Sequence, residues 1–372
     1  MASTALGDLI RDLRCIHGWS QGRLADKLCE TAKHSTVSRE EVSKWERGVR
    51  PVGPFWLRHL ATVLEVPLQV LEDAKVKRRR FLTNVAATAI APVVASDLLR
   101  EGFDAALAGR PGLDQWAETI EDYGRAYMSQ GAEEIQKRLA LDMVILQQGL
   151  EDPRMWDVAA KLMVLFGKTF PGSDGTKAVS WYRTAVQAAD RSGIEDARVW
   201  VRGRASLALA YEGASLPIAT MLAKEALAIS ELSSPGRLNA LWAMAHVSAQ
   251  LGDREGANAY LLSSRREFEA SGAEEKTDYA IPWWRHNVHI SLLGARLGDE
   301  QLAAQGQADG LASIPAELPR FKTHLEMHQG LMQAKAGDKT GGIATARSAL
   351  DKLPPEKHSL TLRLLMSEVE AA

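Results

Sequence analysis

Nine histidines are spread over 372 residues, and two pairs of them have spacings that could do chemistry. His286 and His289, like His324 and His328, would share one face of a helix, a spacing that suits a metal ion. Neither pair brings a third ligand, so both read as structural. No stretch matches H-E-x-x-H, G-x-S-x-G or G-x-G-x-x-G. "PGSDGTK" and "AGDKTGG" contain Gly, Lys and Thr without the phosphate-loop spacing. The two cysteines, Cys15 and Cys29, form no C-x-x-C pair, which argues against zinc and for a reduced compartment, with a redox switch between them as a minor alternative. Nothing sets a nucleophile beside a base. The expectation is no enzyme, no metal and no cofactor.

The stretch "VSREEVSKWERG", residues 37–48, offers a different chemistry. Ser38-x-x-Glu41 is a capping box that would start a helix. Val42 and Trp45 lie three apart and face a core, which leaves Arg39, Glu40, Ser43, Lys44 and Arg47 on the other side. That face is either a solvated surface carrying two ion pairs or a surface built for a DNA groove.

Helical periodicity surrounds this stretch. Leu6, Leu9, Ile10, Leu13 and Ile16 mark a first helix ending near Gly18. Ser20 caps a second, with Leu24, Ala25 and Leu28 inward. Gly48, Pro51 and Pro54 end the polar helix. Two short helices follow, one with Phe55, Leu57, Leu60 and Ala61 as candidate core, the next with Leu64, Val66, Leu68 and Leu71. Residues 1–80 hold 15 Lys or Arg against 10 Asp or Glu, a net of +5, whereas the remainder holds 30 against 37, a net of −7. The positive charge thus gathers where phosphates would be met.

"LGDLIRDLRCIHGWSQGRLADKL" followed by "VSREEVSKWERGVRP" resembles the lambda-repressor-like, XRE-type helix-turn-helix domain over residues 6–72, most specifically in "WSQGRLA" and "VSKWERG". The resemblance implies a five-helix DNA-binding domain over residues 1–73. It implies that Arg39, Glu40, Ser43 and Lys44, on the helix opened by Ser38, read base edges. Gln21 would clamp a phosphate, and Arg47 would touch the backbone. The chemistry agrees: Arg and Lys suit guanine O6 and N7, and Glu suits the cytosine amino group. "ETAKHST", residues 30–36, departs from the family by lengthening the connection between the second and third helices, and it makes Lys33 and His34 candidate backbone contacts.

Residues 74–110 read as a basic linker and an apolar connecting helix. "KRRRFLTNVAATAIAPVVAS" imitates a twin-arginine leader, but patterned sequence precedes it, so a docking helix is expected instead. No run of eighteen apolar residues suggests a membrane span, and a cytoplasmic, nucleoid-associated protein is expected.

Residues 111–372 are rich in Ala and Leu at helical spacing. Four stretches share a template: a helix end, a Gly turn, then a helix with a small residue soon after. The turn glycines Gly213, Gly252, Gly298 and Gly337 are 39, 46 and 39 apart, and the small residues are Ala219, Ala257, Ala303 and Gly342. A weaker copy spans 172–190, and residues 113–170 fit poorly. Such helix pairs bury their faces only by stacking, so an all-α protein ending in an α-solenoid is expected. The pattern resembles tetratricopeptide repeats with longer units. That resemblance places Trp200, Asn239, Arg285 and His324 at one groove-facing position and Tyr211, Gln250, Arg296 and Lys335 at another, with Trp242 and His246 also inward. Asn amides would pair with a peptide backbone, and the cations would hold a carboxylate. The alternative is a merely solvated wall. Trp283 and Trp284 read as core.

A DNA reader joined to a solenoid resembles bacterial one-component regulators, among them peptide-pheromone receptors of quorum sensing. The resemblance implies a homodimer, a palindromic double-stranded operator and a short signalling peptide or other small ligand. The alternatives are a solenoid that binds a protein partner and a scaffold with a vestigial head.

Overall fold

The computed structural model describes residues 5–33, 36–66, 111–130, 132–170 and 175–372, with isolated positions between 68 and 109. Among the described residues every regular element is helical. The expected apolar segment 81–95 lies outside them, as does most of the linker 74–110 and of the fifth head helix, where only Leu68 and Leu71 are described as helical.

The head comprises α1 (Ala5–Ile16), α2 (Gln21–Ala32), α3 (Arg39–Glu46) and α4 (Pro54–Val63). Ser20 starts α2 by accepting from the N–H of Arg23 at 3.1 Å, and Ser38 starts α3 by accepting from Glu41 N–H at 3.4 Å. The other half of the expected capping box is replaced: the Glu41 carboxylate goes to Lys44 and Arg50. Of "ETAKHST", Glu30, Thr31 and Ala32 belong to α2, and His34 lies outside the described residues. α2 runs on through Ala32 and stops at Lys33, which takes the left-handed conformation with φ 51°. Leu9, Ile10, Leu13, Leu24, Leu28, Val42, Leu57 and Leu60 form the core. Phe55 is a correction to the expected core, since it is 47% exposed. It sits one residue into α4, off the Leu57–Leu60–Ala61 face, and its ring lies on Trp56 and His59 instead.

After α5 (Leu113–Ser129) and α6 (Ala132–Leu146) come five antiparallel pairs. They are α7 (Pro153–Lys168) with α8 (Gly175–Ser192), α9 (Glu195–Glu212) with α10 (Leu216–Ile229), α11 (Pro235–Gln250) with α12 (Arg254–Ser271), α13 (Trp283–Leu297) with α14 (Glu300–Ser313), and α15 (Pro319–Lys335) with α16 (Lys339–Asp351). The helix α17 (Leu360–Ala371) follows. All four turn glycines have positive φ, from 65° at Gly298 to 101° at Gly337, where a Cβ would be strained. Ala219, Ala257, Ala303 and Gly342 are buried, and Ala303 and Gly342 lie where a glycine of the paired helix, Gly294 and Gly330, comes close.

The inner helices α9, α11 and α13 are buried on nearly every side. Their concave face is covered from three directions. α17 packs on α9 and α15. The connection between α12 and α13 brings Thr277 and Tyr279 against Gly124 of α5, where an added Cβ would stand 2.0 Å from the Thr277 hydroxyl. Arg320 on α15 donates to the carbonyl of Tyr127 at 2.9 Å. The head meets the stack where α1 touches α10 and Arg183 of α8 pairs with Asp12.

Candidate nucleic-acid interface and internal cavity

Helix α3 is fixed on one side and open on the other. Val42, Trp45 and Glu46 are buried, whereas Ser38, Arg39, Glu40 and Arg47 are exposed and Ser43 and Lys44 are half-buried. The inner side is secured by charge as well as by packing. Glu46, 1% exposed, accepts from Arg14 of α1 and from Gln21 of α2, which joins three helices at one carboxylate. Gln21 therefore stands at the start of α2 with its amide turned to Glu46, and Lys33 is exposed at the far end of that helix. The outward face carries cations and hydrogen-bonding groups of the kinds that suit phosphates and base edges.

The second region is a cavity inside the repeats. It offers about 90 Å³ to the centres of water-sized molecules. One wall is ionic. Asp278 receives Arg204 at 2.8 Å, Arg285 at 3.1 Å and Lys168 more closely still. Burial pushes the Asp278 carboxyl up, but Arg204, Lys168 and Arg285 together hold it well below the usual carboxylate range. Desolvation, then Arg204, pushes Lys168 well below its usual value. Glu212 is pushed up to about 7 by desolvation, against a hydrogen bond from the Thr361 hydroxyl at 3.1 Å. The other walls include Leu207, Ala208, Val288 and Phe321.

Behind the cavity lies an aromatic cluster centred on Tyr211, whose hydroxyl reaches His324 at 3.4 Å and His328 at 3.3 Å. His246 meets His289 at 3.2 Å, and His328 meets Ser291 at 3.0 Å. His286 turns away and stacks on Phe268. Among the described residues no group of three or more His, Cys, Asp or Glu side chains is placed to hold a metal.

Of the ten residues expected in a groove, Tyr211, Arg285 and His324 line the cavity. Trp200, Asn239, Trp242 and His246 are buried in the helices around it, with Trp200 against Tyr279 and with Asn239 Oδ1 and Trp242 Nε1 lacking hydrogen-bond partners. Gln250 donates to the carbonyl of Ala210. Arg296 grips Glu368 of α17, and Lys335 donates to the carbonyl of Arg296. Trp284 is core, whereas Trp283 is 41% exposed. The sequence reading missed Asp278, Lys168, Arg204, Glu212 and Arg320. Arg204 did leave a signal, as a charge within the apolar run of α9, but Asp278 sits in a connection with no periodicity to phase it.

Residues 10–71 match the helix-turn-helix family. No curated protein matches the chain. Among solved structures, Bacillus thuringiensis PlcR in complex with the peptide PapR7 and DNA is similar at 16% identity and a TM-score of 0.34, over 71% of this chain and 94% of that one. No helix among the described residues is long and apolar enough to cross a membrane.

Proposed function

We propose that this chain, which carries a helix-turn-helix DNA-binding domain over residues 10–71, is a transcription regulator whose repeat region takes a ligand and thereby sets operator affinity. The observation that carries the reading is the two-sidedness of α3: Val42, Trp45 and Glu46 anchor it while Arg39, Glu40 and Arg47 face outward. Arg39, Glu40, Ser43 and Lys44 read base edges. The first-turn N–H groups of α2 beside Gln21, together with Arg47 and Lys33, hold phosphates. Two chains place two heads on a palindrome, about 34 Å or a multiple apart.

The cavity supports a small ligand, or one end of a peptide, over a protein partner, because its charged lining is buried and of small-molecule size. Its walls come from α5, which follows the linker, and from α9, α13, α15 and the segment entering α17, so an occupant bears on several helices at once.

Fragments retained by the full chain from random duplex DNA give the operator. Its affinity for the purified protein should fall steeply with salt. Arg39→Ala with Lys44→Ala should abolish preference for that operator without changing the melting temperature. Survival of the preference would overturn the assignment of α3.

A further inference from the structure

The cavity holds more positive charge than its own residues offset. Lys168, Arg204 and Arg285 converge on the single carboxylate of Asp278, with side chains only 5%, 6% and 8% exposed. With Lys168 pushed toward its neutral form and Glu212 held partly protonated, the arginines still outnumber the ionised carboxylates among these buried groups, and buried charge without a counter-charge is costly. Arg320 adds a fourth cation, tied to a backbone carbonyl at 2.9 Å and to the ring faces of Tyr127 and Phe321. His289 lines the same space, buried, with its Nε2 lacking a hydrogen-bond partner. Facing this cationic end are Leu207, Val288 and Phe321.

We propose that the cavity binds a small monocarboxylate with a short apolar body, its carboxylate among Lys168, Arg285 and Arg320 and its body against Phe321, Val288 and Leu207. The apolar walls would gain nothing from inorganic phosphate, and Glu212, which also lines the cavity, opposes a dianion. The cavity admits a carboxylate with a short body, so the carboxylate belongs either to a free acid or to the end of a peptide. The site itself stands on the cavity alone; its use as a signal rests on the regulator reading above.

The test titrates the full chain calorimetrically with 4-methylpentanoate, phenylacetate, their amides, inorganic phosphate, and a tetrapeptide ending in leucine with a free or an amidated terminus. At least one acid or the free-ended peptide should saturate. Its amide should bind at least about tenfold more weakly, as expected when a charge-assisted hydrogen bond is lost. Acids without peptide identify a free metabolite as the source, and free-ended peptide without acids identifies a chain end. Arg320→Gln should weaken binding about tenfold. Glu212→Gln should tighten it, which no general loss of structure would do. Amides equal to acids, phosphate tighter than any carboxylate, unchanged affinity in both variants, or no binding at all would overturn the proposal. Operator affinity is measured on the same samples. No acid or peptide binding with an intact operator response sinks only the site, whereas binding that leaves operator affinity unchanged sinks the sensing reading.

Discussion

Arg14 and Glu46 join the first head helix to the third, Nε to Oε1 at 2.6 Å and Nη2 to Oε2 at 3.2 Å, while Gln21 donates to the same carboxylate at 2.8 Å. The angle between α2 and α3 therefore depends on one buried acid. Glu46→Ala leaves Arg14 half-desolvated and unpaired, and should cost the head about 3 kcal/mol. Hydrogen exchange should show the loss in residues 5–66 with the repeat amides unchanged. Equal protection in variant and parent would show that packing alone sets the angle.

Asp278→Asn removes the carboxylate that Lys168, Arg204 and Arg285 share. Three buried cations then face one another, and the repeats should lose about 3–5 kcal/mol in urea unfolding. Adding Lys168→Met should restore part of that loss, because it removes a buried amine crowded by two arginines. A double variant no more stable than the single one would argue that Asp278 acts through its backbone contacts instead.

Acid should unfold the repeats early. Desolvation holds His286 and His324 at about 3 and His246, His289 and His328 well below their usual value. A histidine whose folded pKa is depressed contributes stability that is whole above about 6.5 and is lost as pH falls below it. Glu212, raised to about 7, works the other way: its contribution is whole below about 4.5 and is lost as pH rises through 7. Several histidines outweigh one carboxyl, so unfolding free energy should drop steeply from pH 6.5 to 5. Glu212→Gln should raise stability at pH 8 and leave it unchanged at pH 5. A flat profile between pH 7 and 5 would contradict the buried, neutral cluster.

Arg183 and Asp12 pair across the head–repeat contact with both side chains more than a third exposed. Such a pair contributes at most about 1 kcal/mol. Arg183→Glu should therefore leave thermal unfolding unchanged yet speed hydrogen exchange in α1 and α10. If exchange is unchanged, apolar contact between α1 and α10 holds the head by itself.

Periodic features were legible in the sequence for a physical reason. A turn that needs positive φ demands glycine, and a close helix crossing demands a small residue, so Gly298 and Ala303 announce a pair without any tertiary knowledge. Val42 and Trp45 likewise announced the inner face of α3. Glu46 did not, because an acid on a polar helix looks solvated until Arg14, 32 residues away, arrives beside it. The groove positions were phased as if the concave side were open. Nothing local to Arg296 foretells Glu368, 72 residues on, and nothing in α5 foretells that Gly124 will admit Thr277. Long-range closure turned an expected solvent-lined groove into a mostly buried wall with a small cavity.

The cavity's walls are drawn from distant parts of the chain: Arg320 meets the Tyr127 backbone across 193 positions, and Thr361 meets Glu212 across 149. Contacts of such long separation form slowly, while the head's ties span only a few tens of residues. The two halves thus mature on different clocks. A newly made molecule owns a finished head before it owns a finished chamber, and on the function proposed above it would hold an operator through that interval without answering to a ligand.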